Sequence, residues 1–117
     1  VSGSAAAEWV KVGGNNVVTT YVDPTTIRRL DDLVKMGVLN DFKVASITGG
    51  KEFLSSKGQN EYDCKEQKDR ILAFTFHSGN MGNGVAVAAK DDPDEIWRPI
   101  PPKSFRETMW KIACGKQ

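Results

Sequence analysis

Apolar residues recur along this chain mostly at every second position, and only near its end at the three-to-four spacing of a helix. Residues 9–12 (Trp-Val-Lys-Val) predict a first strand, closed by the turn formers Gly13-Gly14-Asn15-Asn16. Residues 17–22, almost entirely β-branched or aromatic, predict a second strand paired with the first as a hairpin. Asp23-Pro24-Thr25-Thr26 predicts a stop and a short helical turn through Ile27, because Asp caps and Pro suits a first helical position. A third strand follows over residues 33–42, with Val34, Met36 and Val38 on one face and Leu33 and Leu39 on the other.

Thr48-Gly49-Gly50-Lys51 predicts a turn into a long, mostly polar strand over residues 54–66, where Tyr62 and Cys64 face one way. Residues 70–77 form the strongest strand pattern, placing Leu72, Phe74 and Phe76 opposite Ile71, Ala73, Thr75 and His77. A mobile hairpin loop over residues 78–84 leads to a sixth strand at 85–89, ended by Asp91-Asp92-Pro93-Asp94. Prolines make residues 97–102 an extended connector. Ser104-Phe105-Arg106-Glu107 then reads as a capping box, Phe105, Met109 and Ile112 as one apolar stripe, and Gly115 as a helix stop. The expected fold is α+β: an antiparallel sheet of about six strands with one C-terminal helix across a face. The links are too short for the crossovers of a parallel sheet.

The chain has 117 residues, which suits one domain over residues 8–117. Residues 1–7, with the run Ala5-Ala6-Ala7, predict a tail left by a signal peptide or by cloning. Sixteen basic and fifteen acidic residues leave a net charge of +1, which removes the electrostatic argument for nucleic acid as a partner. No apolar run is long enough for a membrane span.

One histidine and two cysteines do not make a zinc site, and no metal or cofactor is expected. Cys64 and Cys114 form a disulfide between sheet and helix if the protein is secreted, or stay as buried thiols if it is cytosolic. No nucleophile is tied by spacing to His77, so it reads as a solvated residue at a strand end, with a hydrolase's general base as the alternative. The glycines between Gly79 and Gly84 join strand to strand and supply no helix N-terminus for a phosphate, and Thr48-Gly49-Gly50-Lys51 lacks P-loop spacing. Asp91-Asp92-Pro93-Asp94-Glu95 lacks the alternation of a calcium loop and reads as a solvated acidic turn. Trp9, Trp97 and Trp110 are assigned to packing. No catalytic set is expected.

Five segments, taken in order, carry a resemblance: Glu8-Trp9-Val10-Lys11-Val12, Tyr21-Val22-Asp23-Pro24 with Ile27-Arg28-Arg29, Glu61-Tyr62-Asp63-Cys64, Trp97-Arg98-Pro99-Ile100-Pro101-Pro102, and Ala113-Cys114-Gly115. Over residues 8–116 the chain resembles the surface-adhesin protein E family of Gram-negative bacteria. The resemblance implies an exported domain with a curved antiparallel sheet, its helix tied on by a Cys64–Cys114 disulfide. It also implies a non-catalytic role in binding host or extracellular-matrix proteins, and a homodimer; a structural or assembly role in the cell envelope is the alternative. The family's namesake is a lipoprotein, and no cysteine lies near the start here, so a soluble periplasmic or secreted placement is expected over outer-membrane association. Where family members tend to carry tryptophan in the third strand, this chain has Gly37, which leaves either a groove or a gap filled by a partner's aromatic side chain.

Overall fold

The computed structural model describes residues 7–116, so the tail expected over residues 1–7 lies outside the described residues except for Ala7. Seven strands and one helix follow in order: β1 (Val10–Gly14), β2 (Val18–Leu30), β3 (Leu33–Thr48), β4 (Lys51–Asp63), β5 (Lys68–His77), β6 (Ala86–Lys90), β7 (Arg98–Pro99) and α1 (Phe105–Cys114). β1 to β6 form an open antiparallel meander in sequence order, and the two-residue β7 pairs with β5 outside that path.

The turns explain the connectivity. Asn15 accepts from the amides of Val17 and Val18 through Oδ1, at 2.7 and 3.0 Å, which closes the β1–β2 hairpin. Between β3 and β4, Thr48 pairs with Lys51 and leaves a two-residue loop. Gly49 and Gly50 both have positive φ there, 54° and 77°, which glycine adopts without a Cβ penalty. Asp63 Oδ1 accepts from the amides of Lys65 and Glu66, which turns β4 into β5. Cys64 therefore opens a turn and does not lie within a strand.

β2 does not stop at Asp23. Its pairing with β3 shifts register between Asp23 and Arg28, so the expected helical turn is a bulge within one long strand. Asp23 is nearly fully buried and accepts from the Thr25 amide and hydroxyl and from the Glu8 amide. Side-chain bonds thus bend the chain without a helix. A second bulge, between Gln59 and Asn60 opposite β5, sets Leu72 outside the ladder and breaks the strict alternation expected for that strand.

The main core lies between α1 and one face of the sheet. Val22, Val34, Met36, Val38 and Tyr62 from β2, β3 and β4 meet Met109, Trp110 and Ala113, with Ile100 and the cysteines. Each aliphatic side chain buried this way contributes roughly 1.5–3 kcal/mol. The helical stripe is wider than the expected one: Met109 is buried and Ile112 packs against the core as expected, and Trp110, Ala113 and Cys114 are buried with them. Phe105 is 43% exposed, with its ring against Gly13. The added width follows from two anchors at the far end, the Cys114 sulfur and the Trp110 Nε1, which donates to the Asp63 carbonyl at 2.8 Å. Ser104 caps α1 by accepting from the Glu107 amide. Glu107 reaches back one residue further than expected, accepting from the Lys103 amide at 3.0 Å. Gly115 ends the helix with φ 67°.

Candidate functional site

Cys64 and Cys114 are bonded, with an S–S distance of 2.01 Å and a Cα–Cα distance of 5.7 Å. The bond joins the β4–β5 turn to the last residue of α1. A second joint lies a short way along the same helix. Asp69 on β5 is 2% exposed, and its carboxylate receives Arg106 through Nε at 2.9 Å and Nη2 at 2.6 Å, with Arg98 Nε at 3.2 Å. The fork geometry is the strong form of this contact, and the hydrogen bond to Asp69 raises the Arg106 pKa above its ordinary value. Arg98 and Arg106 fall within segments marked for other reasons, but nothing in the sequence tied them to Asp69, because the three come from β5, β7 and α1 and meet only after folding.

His77 is half-buried at the end of β5, opposite Ser55. Both of its ring nitrogens are shut off from solvent, and neither meets a hydrogen-bond partner among the described residues. Burial, with the nearby Lys57 ammonium, lowers its pKa below 6.5. The residue is therefore not the solvated strand-end histidine expected. The Ser55 hydroxyl is occupied elsewhere, donating to the Gly79 carbonyl and accepting from the Gly82 amide.

Those bonds belong to the glycine-rich loop, which is pinned and not a free hairpin tip. Asn80–Gly82 forms a 3-10 turn laid on β3 and β4. Asp41 accepts there from the Met81 amide at 2.8 Å and from Asn80 Nδ2 at 3.0 Å. The acidic turn holds its own cation: Lys90 Nζ stands 3.1 Å from Asp94 and 3.9 Å from Asp92. The tryptophans do not gather. Trp97 lies under the Arg70 guanidinium, 4.8 Å from ring centroid to Cζ, while Trp110 is in the core. Gly37 opens no groove, because the Thr26 side chain covers it.

Open surface remains on both faces of the sheet. On the helix face beyond α1, Phe42, Phe74 and Phe76 border a cleft of about 300 Å³. Phe53 stacks on Phe76 at 4.2 Å between centroids and meets Phe42 edge-on at 5.5 Å. On the opposite face Lys57, Gln59, Ala73, Thr75 and Ala89 line a second cleft of about 270 Å³.

The model of the surface-adhesin protein E family matches residues 9–115. The chain belongs to that family. Among solved structures, Haemophilus influenzae protein E is similar, with a TM-score of 0.72 over 96% of this chain and 87% of the other at 13% identity. A structure of protein E from non-typeable Haemophilus influenzae gives a TM-score of 0.67 over 96% and 78% of the two chains, also at 13% identity. A further crystal form of the Haemophilus influenzae protein gives 0.66 over 82% and 80% at 14% identity. At these identities the structures establish the shared fold. A sequence search of curated proteins finds no match. The family makes this an adhesin-like protein, and no helix among the described residues is long and apolar enough to cross a membrane.

Proposed function

We propose that this adhesin-like chain is an exported, non-catalytic domain that binds host or extracellular-matrix proteins. The observation that carries the reading is an open sheet whose outer strand β6 is unpaired on one side, with the helix tied to the sheet by a disulfide. An open edge offers backbone donors and acceptors to a protein partner, whereas an enzyme needs convergent reactive groups. His77 supplies no such convergence: neither ring nitrogen reaches a hydroxyl, thiol or carboxylate among the described residues. The disulfide fits an oxidising compartment, which supports placement in the periplasm or beyond.

The test is binding of the oxidised protein to a panel of extracellular-matrix proteins, laminin and vitronectin included, by surface plasmon resonance. Saturable binding in the micromolar range or tighter supports the reading. Silence across the panel, with correctly folded protein, removes it.

A further inference from the structure

We infer that β6 is the docking edge, and that its occupant is an extended segment of a partner protein with bulky apolar side chains at alternate positions. The inference rests on the protein-binding reading and narrows it to one strand. The sheet has two ends, and they are built differently. Both ends carry a lysine and a register shift: Lys11 with the shift between Lys11 and Gly13 at β1, and Lys90 with the shift between Phe76 and His77 at β6. At the β1 end, however, the Phe105 ring of α1 also lies against Gly13. Cover from a neighbouring element is a device that keeps foreign strands away from a sheet edge, and among the described residues only β1 has it from the helix. The other end has cover along half its length. β7 pairs with Lys68 and Asp69 at the start of β5, and the Asp94 amide bonds the Ile71 carbonyl. From Phe74 to His77 the neighbour is β6, and no strand among the described residues pairs with the outer side of β6.

β6 has the composition of a strand meant to be paired. Its sequence Ala-Val-Ala-Ala-Lys keeps charge and proline out of its first four positions. The preceding Val85 is 67% exposed. Small side chains decide what fits. Ala88 pairs with Phe76, and Ala89 with Thr75, so the two alanines lie on opposite faces of the sheet. A strand added alongside β6 sends alternate side chains across Ala88 toward the Phe76 ring, while Lys90 stands opposite Phe74. The intervening ones cross Ala89 toward the cleft at Ala73 and Thr75. Alanine is too short to screen those surfaces. The partner therefore needs long or aromatic side chains to reach them, and main-chain bonds to β6 to fix its register.

The probe is a capped peptide of about six residues, the usual length of a strand, alternating threonine with phenylalanine or valine. It is titrated into the oxidised protein and followed by amide NMR and hydrogen exchange. Amides of Ala86–Lys90 should shift and gain protection, and backbone N-methylation of the peptide should abolish the effect. Ala88→Lys, which sets an ammonium in front of the Phe76 ring, should weaken binding about tenfold or more, while Val10→Lys on β1 should leave it unchanged. If Ala88→Lys fails to fold, as judged by its melting curve, Ala86→Lys and the N-methylated peptide serve in its place. Protection at β1, binding insensitive to N-methylation, or a sedimenting dimer that buries β6 each overturns the inference. Matrix-protein binding that survives Ala88→Lys overturns the docking edge and leaves the proposed function standing. A silent matrix panel removes the proposed function, and the peptide titration still judges the edge.

Discussion

The Thr26 hydroxyl stands over Gly37 and accepts its amide hydrogen at 2.7 Å. The same oxygen donates to the Asp23 carbonyl at 2.7 Å, so one side chain from the β2 bulge takes the place of a ladder bond in β3. A Cβ at position 37 would lie 3.1 Å from that oxygen. Gly37→Ala is expected to destabilise by about 1–3 kcal/mol, and Gly37→Trp to prevent native packing. Thr26→Ala leaves the buried amide without its acceptor and should cost a comparable amount, about 1–3 kcal/mol. Urea denaturation of the two single variants and the double variant checks the contact, because strict additivity would show that the two residues are uncoupled.

Reduction of Cys64–Cys114 should lower the melting temperature sharply. The bond closes a loop with a sequence separation of 50 residues. The chain-entropy estimate for such a loop is about 4 kcal/mol, a large share of a small domain's stability. Cys114→Ser should behave as the reduced protein does in a thermal melt. Equal melting temperatures with and without reductant would contradict the assigned role.

Asp69→Asn tests the second joint of the helix. The Arg106 and Arg98 side chains are 32% and 45% exposed, so water screens them in part while Asp69 stays buried. The expected loss is about 2–3 kcal/mol, below the full penalty for breaking a wholly buried pair. A calorimetric melt measures it. A loss within experimental scatter would mean that Asp69 is not a joint of the helix and that the disulfide, Trp110 and the core hold α1 without it.

Acid should weaken the fold in two windows. Burial lowers the His77 pKa in the folded state, so the unfolded chain takes up its proton first. Stability is complete above the unfolded value of about 6.5 and falls as the pH drops below it. Burial by itself would raise the Asp23 carboxyl, but hydrogen bonds from Thr25 and the Glu8 amide outweigh it and hold it below 3.8. Its share is therefore present above that value and lost further into acid. Denaturant midpoints across pH 3–8 should show both declines, and His77→Gln should remove the upper one. A midpoint in His77→Gln that tracks the parent through pH 5–7 would refute the first assignment.

The strand pattern was legible because alternation is local: the meander order, the α1 capping serine and the Gly49-Gly50 turn can all be read over a few residues. What escaped was set by tertiary contact. Asp23-Pro24 carries real helix-start chemistry, but Asp23 satisfies two neighbouring segments at once and keeps the chain in the sheet. The α1 stripe held at Met109 and Ile112 but not at Phe105, because the Trp110 and Cys114 anchors turn the helix toward their own side. The family resemblance carried the Cys64–Cys114 pairing correctly. It gave no sign of the groove-filling Thr26, which lies eleven residues from the glycine it covers. The Asp69 cluster depends on partners 29 and 37 residues away, beyond the reach of any local pattern.

The cysteine pair also sets a condition on how the molecule is made. With two cysteines, this chain has one intramolecular pairing and no alternative to reshuffle. Oxidation therefore needs an oxidant but no isomerase to correct it. The sulfur of Cys114 is synthesised after all seven strands, so the covalent closure comes last and records that the helix has found its place. The wrong products left to the chain are intermolecular ones, whose yield rises with concentration; dilute oxidative refolding should thus give a nearly single species.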